Sequence, residues 1–204
     1  MAPFVEVNFM IIGIYGKSGS GKSTVCEYLS KKGFFVIDCD KTGHDILKIG
    51  KEGYNKVTEE FEDIINPKTK EIDRKKLGKA VFSDKDKLKK LNAITLPLIE
   101  KEVFALLERE KTRDIIIDGA HLYSSPAIME KCDFFILVKS DNCIQRIIKR
   151  DGILKEDAKN RLSSQKEPDF FDEVIVNNSS LEELYKRTDD LIAERKKKHE
   201  GKSF

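Results

Sequence analysis

Short apolar runs alternate along the chain with stretches in which apolar residues recur every three or four positions. Five of the short runs are rich in β-branched and aromatic residues and predict strands, at residues 10–15, 34–38, 114–118, 133–139 and 173–178. Because strands that alternate with helices pair in parallel through right-handed crossovers, the pattern predicts an α/β fold. The expected architecture is a five-stranded parallel sheet with helices on both faces.

The stretch between the second and third strands has helical periodicity and no clear strand. It predicts a helical insertion at residues 41–111, with helices at 43–49, 53–63, 74–82, 85–94 and 97–110. Asp73 is placed to cap the third of these helices, and Pro97 is placed at the first position of the fifth.

The whole chain, residues 1–204, is expected to form one domain, because its length suits a single core. We expect the core of that domain at residues 10–40, 112–142 and 172–198. The insertion interrupts the core after the second strand. Two further short helices, at residues 143–168, follow the fourth strand.

A glycine-rich sequence, GKSGSGKST, lies between the first predicted strand and the next helix. Gly16, Gly21, Lys22 and Ser23 match the pattern G-x-x-x-x-G-K-[ST] of a phosphate-binding loop, or P-loop. In such a loop the backbone N–H groups surround phosphate oxygens, the lysine reaches the β and γ phosphates, and the hydroxyl coordinates Mg²⁺. Since strand, loop and helix occur in the required order, we prefer this interpretation to a surface turn that matches by chance.

Carboxylates directly follow the second and third predicted strands. Asp38 and Asp40 lie at the end of the second strand, and Asp118 lies at the end of the third. Ligands of open α/β sheets bind at the carboxyl ends of the strands, and a carboxylate in the position of Asp118 can hold Mg²⁺ opposite Ser23. Two alternatives stay open, namely that Asp40 caps the helix that follows and that Asp118 is an ordinary loop residue.

Arginines concentrate in the two short helices after the fourth strand. Arg146 and Arg150 are four residues apart, as are Arg161 and Gln165, so each pair shares one helix face. A glycine separates the two helices. We interpret them as a mobile lid that brings guanidinium groups over transferring phosphates, with ordinary surface charge as the alternative.

Two basic residues of the insertion, His44 and Arg74, lie near the starts of predicted helices. Both are suited to contact an anionic acceptor. The alternative for each is a solvated helix face.

Several motifs occur in series along the chain. They are GKSGSGKST, VIDCDKTGHDIL, IDRKKLGKAVF, the helix with Arg146 and Arg150, RLSSQ and VIVNNSSLEEL. Together they resemble the dephospho-coenzyme A kinase family over residues 10–191. The resemblance implies a P-loop NTPase core of the nucleotide-monophosphate-kinase type, with a helical acceptor domain and a lid. It also implies ATP-dependent phosphorylation of the ribose 3′-hydroxyl of dephospho-CoA, which gives coenzyme A.

The resemblance also implies roles for matching residues of this sequence. The residues expected to bind ATP are Gly19, Ser20, Gly21, Lys22, Ser23, Thr24 and Asn177. The residues expected to bind the acceptor are Asp40, His44, Arg74 and Arg161. The catalytic residues are Lys22, Asp38, Arg146 and Arg150, with Asp38 as the group that orients and deprotonates the acceptor hydroxyl. Ser23 and Asp118 are expected to coordinate the metal. The protein is therefore expected to bind ATP, Mg²⁺ and dephospho-CoA.

The chain departs from the family pattern after the third strand. The family usually has D-x-P-L-L-F-E there, whereas this chain has DGAHLYS, with Ala120, His121 and Ser124 in place of Pro, Leu and Glu. These departures leave open both the acceptor preference and the role of His121. The main alternative is therefore a related kinase that acts on a nucleoside, nucleotide or other hydroxyl metabolite. A nucleotide-gated binding module or switch GTPase is less favoured, because the sequence has no N-K-x-D guanine motif and Asp38 would have no function.

The charge balance and the cysteines of the chain bear on its binding partners and on its redox state. The 38 Lys and Arg residues nearly balance 36 Asp and Glu residues, so the charge does not require a nucleic acid or a membrane surface. The four cysteines form no C-x-x-C pair and are expected to be reduced. No apolar run approaches the roughly 20 residues of a membrane span, and no signal peptide is evident. We expect a cytoplasmic monomer or weak homo-oligomer. Whether residues 1–9 are native and what the lysine-rich end does are left open.

Overall fold

The structure is a computed structural model that describes residues 9–165 and 167–200, apart from the side chains of Phe82, Ala120, His121 and Glu200. The questions about residues 1–8, about the end beyond residue 200 and about the His121 side chain therefore lie outside the described residues. The strands are β1 (Ile11–Tyr15), β2 (Phe35–Asp38), β3 (Ile115–Asp118), β4 (Phe134–Lys139) and β5 (Glu173–Val176). The helices are α1 (Lys22–Lys31), α2 (Cys39–Asp45), α3 (Glu52–Glu60), α4 (Arg74–Phe82), α5 (Lys85–Glu110), α6 (Pro126–Met129), α7 (Cys143–Asp151), α8 (Lys155–Ser163) and α9 (Leu181–Glu200). A short 3₁₀ helix spans Ala120–Ser124.

The five strands form one parallel sheet in the order β2-β3-β1-β4-β5, which confirms the predicted fold class. The central strand β1 pairs with β3 on one side, where Ile14 is in register with Asp118, and with β4 on the other side. On the β3 side, the edge strand β2 pairs with β3, and Asp38 of β2 is in register with Asp118 of β3. The carboxyl ends of β2 and β3 thus bring these two aspartates to the same edge of the sheet.

Each face of the sheet is covered by helices, because successive side chains of a strand point to opposite faces. On one face Ile116 and Ile136 pack with residues of α1 and α9, including Leu29 and Leu184. On the other face the neighbours of Ile116 in β3, Ile115 and Ile117, pack with residues of α5 and α6, including Val103 and Ile128. Ile115, Ile116, Ile117 and Ile136 are fully buried between these layers. The packing on both faces therefore fixes the positions of the central strands.

The insertion has a small core of its own, formed by Val57, Phe61, Ile64, Leu77, Val81 and neighbouring residues. Asp73 caps α4 as predicted, since its carboxylate accepts hydrogen bonds from the backbone N–H groups of Lys75 and Lys76. The prediction of two helices at 85–94 and 97–110 is wrong, because α5 runs through Pro97. Thr95, Ile99, Val103 and Leu107 form a buried stripe at intervals of four residues. Packing of that stripe outweighs the local effect of the proline.

The far end of α1 is fixed to α9. The rings of Tyr28 and Tyr185 stack with centroids 3.9 Å apart, and the Tyr28 hydroxyl donates a hydrogen bond of 2.6 Å to Asp189. Lys32 also pairs with Asp189. The helix that follows the P-loop is therefore anchored at both ends. No helix among residues 9–165 and 167–200 is long and apolar enough to cross a membrane.

Candidate functional site

A cleft of about 1220 Å³ lies over the carboxyl end of the sheet, between the P-loop and the helices α7 and α8. Most of the predicted site residues line it. They are Gly19, Gly21, Lys22, Ser23, Thr24, Asp40, Asp118, Arg146, Arg150, Arg161 and Asn177. Ser20, within the loop, is buried, and Asp38, His44 and Arg74 are not among the lining residues. The structure thus brings together the nucleotide side of the predicted site more completely than the acceptor side.

The P-loop turns from β1 into α1 through glycines with left-handed backbone conformations. Gly19 has a φ of 80° and Gly21 a φ of 99°, values that L side chains rarely adopt. A Cβ atom at Gly21 would also lie 2.1 Å from the Nδ2 atom of Asn177. Gly21 is the N-cap of α1 and has no side chain with which to cap the helix. The backbone N–H of Lys22 makes one long contact, of 3.4 Å, with the Ser20 hydroxyl. The N–H groups of the first turn have no acceptor within the helix and are suited to bind an anion in the cleft.

Lys22 forms an ion pair with Asp118, through its ammonium group and the Oδ1 atom. Asp118 is only 8% exposed, and this burial raises the pKa of its carboxyl group, while the charge of Lys22 acts in the opposite direction. The other oxygen, Oδ2, accepts a hydrogen bond from the Cys26 thiol at 3.8 Å. Burial raises the pKa of Cys26 to about 12, so this residue is a neutral thiol donor. Each oxygen of Asp118 therefore has a partner, and Cys26 is a contact that the sequence did not suggest.

Asp38 has a structural role that the sequence did not predict. Its carboxylate accepts a hydrogen bond of 2.8 Å from the backbone N–H of Lys41, and it is therefore the N-cap of α2. The alternative that Asp40 caps this helix is wrong, because α2 begins one residue before Asp40. Asp38 is exposed, at the sheet edge where it is in register with Asp118. Both a helix cap and a ligand contact are compatible with that position.

Asp40 lies close to Gly119, the residue that follows β3. A Cβ atom at Gly119 would be 2.9 Å from both the backbone nitrogen and the Oδ1 atom of Asp40, and the φ of Gly119 is 119°. Only glycine fits this position. The close approach brings the Asp40 carboxylate next to the end of β3, and its negative charge contributes to the raised pKa of Asp118.

The two basic residues predicted for the acceptor side are away from the cleft lining. His44 is exposed in the last turn of α2. Arg74 is the exposed first residue of α4, beside the separate core of the insertion. Their roles in acceptor binding stay predictions.

Arg146 is held by the backbone of the P-loop. Its guanidinium group donates to the carbonyl oxygens of Gly19 and Ser20, each at 3.3 Å, and to the carbonyl oxygen of Asn177 at 3.0 Å. The buried Asn177 side chain in turn donates to the carbonyl oxygen of Ser20 at 2.7 Å. Arg146 and Asn177 thus tie the P-loop to the ends of α7 and β5, whatever contacts they make with a nucleotide.

Arg150 and Arg161, in contrast, meet at one carboxylate. Asp151 accepts hydrogen bonds from both of them, and Arg150 also donates to the Ser18 hydroxyl in the P-loop at 3.3 Å. The backbone N–H of Ser18 donates to the side-chain oxygen of Gln165 at 2.8 Å. The P-loop is therefore contacted directly by α7 and by the segment that follows α8. The sequence indicated the shared face of Arg161 and Gln165, but gave no sign that Asp151 joins the two arginines.

Aromatic side chains form the wall of the cleft where the motif DGAHLYS departs from the family pattern. The rings of Tyr15 and Tyr123 meet edge to face with centroids 5.3 Å apart, and both residues line the cleft together with Ser124. The hydroxyl of Tyr123 is buried without a hydrogen-bond partner among the described residues. Burial raises the pKa of Tyr123, so the ring adds a neutral wall to the cleft.

The donor set at the loop suits a magnesium ion that is bound mainly by a nucleotide. Ser23 offers an exposed hydroxyl and Asp118 a carboxylate, both of them hard oxygen donors in the same cleft. Among the described residues, no group of three or more His, Cys, Asp or Glu side chains is arranged to hold a metal. A pair of protein oxygens fits Mg²⁺, which typically keeps several waters and takes further ligands from substrate phosphates.

Comparison with known proteins shows similarity over most of the chain. The family model described as dephospho-CoA kinase matches residues 10–183. A protein of Fusobacterium nucleatum named dephospho-CoA kinase is 41% identical over 189 residues, which cover 90% of this chain and 97% of that protein. The crystal structure of a Thermus thermophilus protein superposes with a TM-score of 0.77 at 26% identity and covers 92% of this chain and 98% of its own. A dephospho-CoA kinase from Campylobacter jejuni gives a TM-score of 0.57 at 26% identity, with 90% and 96% coverage.

Proposed function

Since the chain belongs to the dephospho-CoA kinase family, it is an enzyme that phosphorylates dephospho-CoA with ATP, and we propose that the acceptor is the ribose 3′-hydroxyl, so that the product is coenzyme A. One observation carries this proposal. The cleft at the start of α1 combines several cationic side chains with two carboxylates. The cations are Lys17, Lys22, Arg146, Arg150 and Arg161, and the carboxylates are Asp40, just after β2, and Asp118, at the end of β3. Such a cleft suits a phosphoryl group in transit between a nucleotide and a hydroxyl acceptor.

The nucleotide is proposed to bind with its phosphates in the P-loop. Gly19 to Thr24 would surround the phosphate oxygens, and Lys22 would leave Asp118 to contact the β and γ phosphates. Beyond Asn177 the cleft is lined by Leu181, which is 52% exposed, and by Leu184. An exposed apolar side chain at that end offers a surface for the base of ATP.

Mg²⁺ is proposed to be held by Ser23 and Asp118 together with the phosphates. When bound, the ion would neutralise charge on the phosphate oxygens during transfer. Asp118 is suited to this role because its carboxylate is already oriented by the Cys26 thiol at Oδ2 and by Lys22 at Oδ1. When Lys22 moves to the phosphates, Mg²⁺ would take its place beside Asp118. Its higher charge would offset the free-energy cost of burying this carboxylate.

The acceptor is proposed to enter on the side of β2. The acceptor oxygen attacks the γ-phosphorus atom, its proton passes to the carboxylate of Asp38, and the bond from the γ-phosphorus to the bridging oxygen breaks to release ADP. Arg150 and Arg161 would face the charge on the transferring group, and Arg146 would act from its position on the P-loop. Asp40, His44 and Arg74 are retained as proposed acceptor contacts; of these, Asp40 lines the cleft.

An acceptor panel tests the proposal. The enzyme is incubated with Mg-ATP and, separately, with dephospho-CoA, AMP, adenosine and shikimate, and products are measured by mass spectrometry. We expect one added phosphate on dephospho-CoA, and proton–phosphorus coupling at the ribose 3′ position locates it. Faster phosphorylation of another acceptor would favour the related small-molecule kinase. A parallel titration with ATP and GTP tests the choice of nucleotide. A cytoplasmic location and a monomeric or weakly oligomeric state stay predictions.

A further inference from the structure

We propose that Asp151 is a positioning residue for phosphoryl transfer, because its carboxylate joins Arg150 of α7 to Arg161 of α8 and presents the two guanidinium groups to the cleft as one unit. This inference rests on the proposed function and adds a residue to it. Asp151 itself is not among the residues that line the cleft, whereas both arginines are. It is therefore expected to act through the arginines and not through contact with the substrate.

The geometry of the three side chains carries the inference. The Oδ1 atom of Asp151 accepts from Nε of Arg150 at 2.6 Å, and its Oδ2 atom accepts from Nη2 of Arg150 at 2.8 Å. The same Oδ2 atom accepts from Nη1 of Arg161 at 2.7 Å. A bidentate contact fixes the plane of the Arg150 guanidinium group, and the shared oxygen sets the distance to the second group. The carboxylate thus orders two long side chains from different helices.

The position of Asp151 on α7 is unfavourable for local stability. It is the last residue of the helix, and Gly152, with a φ of 65°, ends the helix immediately after it. The negative end of the helix dipole lies there, so a carboxylate is repelled and a lysine or arginine is preferred. Ion pairs between exposed side chains contribute little to stability, typically about 0–1 kcal/mol. Arg150 and Arg161 are about half exposed, so helix stability does not explain why a carboxylate stands at this position.

The arginines keep donors for a ligand while they are joined. The guanidinium group of arginine has five N–H donors. Arg150 uses Nε and Nη2 for Asp151 and Ser18, and among the described residues its Nη1 donors have no hydrogen bond. Arg161 uses only Nη1, again among the described residues. The paired groups therefore offer their remaining donors to phosphate oxygens in the cleft.

Arg146 shows the alternative way to hold an arginine in this cleft. Its donors are taken by backbone carbonyl oxygens of the P-loop and by Asn177, and no carboxylate contacts it among the described residues. Arg150 and Arg161 lie farther along the chain. Within the described part of the chain, Arg150 contacts the P-loop through Ser18 and Arg161 has no P-loop contact. A carboxylate between them replaces the backbone anchor that Arg146 has.

The test compares Asp151→Asn with the wild type in the dephospho-CoA assay. We expect kcat to fall roughly 10- to 100-fold, because misplaced transition-state contacts cost about that much. The Kd of ATP, measured by calorimetry, should change less than about threefold, because the P-loop holds the ground-state phosphates. Asp151→Glu keeps a carboxylate and should restore part of kcat. Arg161→Ala should cost less in the Asp151→Asn background than in the wild type, since the two side chains act as one unit.

Glu156→Gln is the matched control. It removes one negative charge from α8, where Glu156 pairs with Lys159 outside the cleft, and should leave kcat and the melting temperature unchanged. The inference is overturned if Asp151→Asn keeps kcat within twofold of the wild type, if its effect adds fully to that of Arg161→Ala, or if kcat falls only together with the melting temperature. A wild type that does not phosphorylate dephospho-CoA would instead overturn the proposed function.

Discussion

The P-loop and the helical insertion differ in how their side chains are arranged around the cleft. At the P-loop, contacts from distant parts of the chain converge on a few residues, such as the hydrogen bond from Asn177 to the Ser20 carbonyl. The insertion, α2 to α5, has its own small core, and its predicted acceptor residues His44 and Arg74 are exposed away from the cleft lining. The residues proposed to bind the nucleotide are therefore already assembled in this structure, whereas those proposed to bind the acceptor are not.

The proposed ligands of the two regions account for this difference. Phosphate groups are the same in every nucleotide, and backbone N–H groups of a glycine-rich loop can bind them in one fixed geometry. A large acceptor presents many groups along its length, and side chains on an insertion can approach them after it binds. We expect substitutions at the P-loop to affect chemistry strongly and substitutions in the insertion to affect acceptor binding weakly.

The largest effect is expected for Lys22→Ala. The variant loses the cation that the loop provides for the β and γ phosphates, and turnover should fall to background, beyond the roughly 10²–10³-fold typical of losing one preorganised donor. Phosphate transfer to dephospho-CoA measures it. Lys31→Ala is the control, because Lys31 lies at the other end of α1 in an exposed pair with Glu27. If Lys22→Ala retained most of its kcat, the P-loop would not be the catalytic site.

Asp38→Asn is expected to lower kcat by about 10² to 10⁴, the range for a lost general base. Asparagine caps helices about as well as aspartate, so this variant keeps the cap of α2 and removes only the proton acceptor. Circular dichroism and the Kd of ATP should be unchanged. Asp118→Asn is the comparison, and it should raise the Mg²⁺ requirement instead, by roughly tenfold or more. A change in Mg²⁺ dependence for Asp38→Asn, with normal kcat at saturating metal, would move Asp38 into the metal shell.

Arg74→Ala should have a smaller effect, limited to the acceptor. An exposed ionic contact contributes about 0.2–1 kcal/mol, which corresponds to at most about a fivefold rise in the KM of dephospho-CoA. The KM of ATP and kcat should stay constant in steady-state assays. Lys76→Ala, on the same helix, controls for the general loss of positive charge. Equal effects of both variants would indicate that Arg74 has no specific contact.

The smallest effect is expected from thiol reagents, and it should be the same on both sides of the cleft. Burial raises the pKa of Cys26, behind the P-loop, and of Cys39, at the start of α2, to about 12 each. At pH 8 only about one molecule in 10⁴ therefore carries either thiolate, which is the reactive form. Iodoacetamide at pH 8 should leave activity intact and both cysteines unmodified by mass spectrometry. Rapid loss of activity with modification of Cys26 would show that the P-loop side opens far more than the structure indicates.

The sheet and the P-loop were predictable because their signals are local. Each strand is a short apolar run, and Lys22 and Ser23 belong to a pattern of eight residues whose backbone geometry is fixed by glycines. The continuous helix α5 was not predictable, since the rule for Pro97 is local while the buried stripe that overrides it depends on tertiary packing. The anchoring of Arg146 by the loop was also missed, because its partners Gly19 and Asn177 are 127 and 31 residues away.

Asp38 shows why the role of a single carboxylate is hard to predict. The sequence correctly places it at the end of a strand, next to the position of Asp40. It does not say which of the two aspartates caps α2, since a shift of one or two residues in the helix boundary decides between them. Its register with Asp118 and its hydrogen bond from the Lys41 backbone N–H can be seen only in the folded chain.

The hydrogen bond between Asn177 and Ser20 also has a consequence for the order of events during synthesis. Ser20 emerges from the ribosome 157 residues before its partner. The strands that pair with β1, namely β3 and β4, are synthesised more than 100 residues after it. The insertion, in contrast, is built from neighbouring helices and can fold as soon as α5 is complete. We therefore expect the nascent chain to fold the insertion first. A stalled chain that lacks β5 should contain folded helices and yet fail to retain ATP.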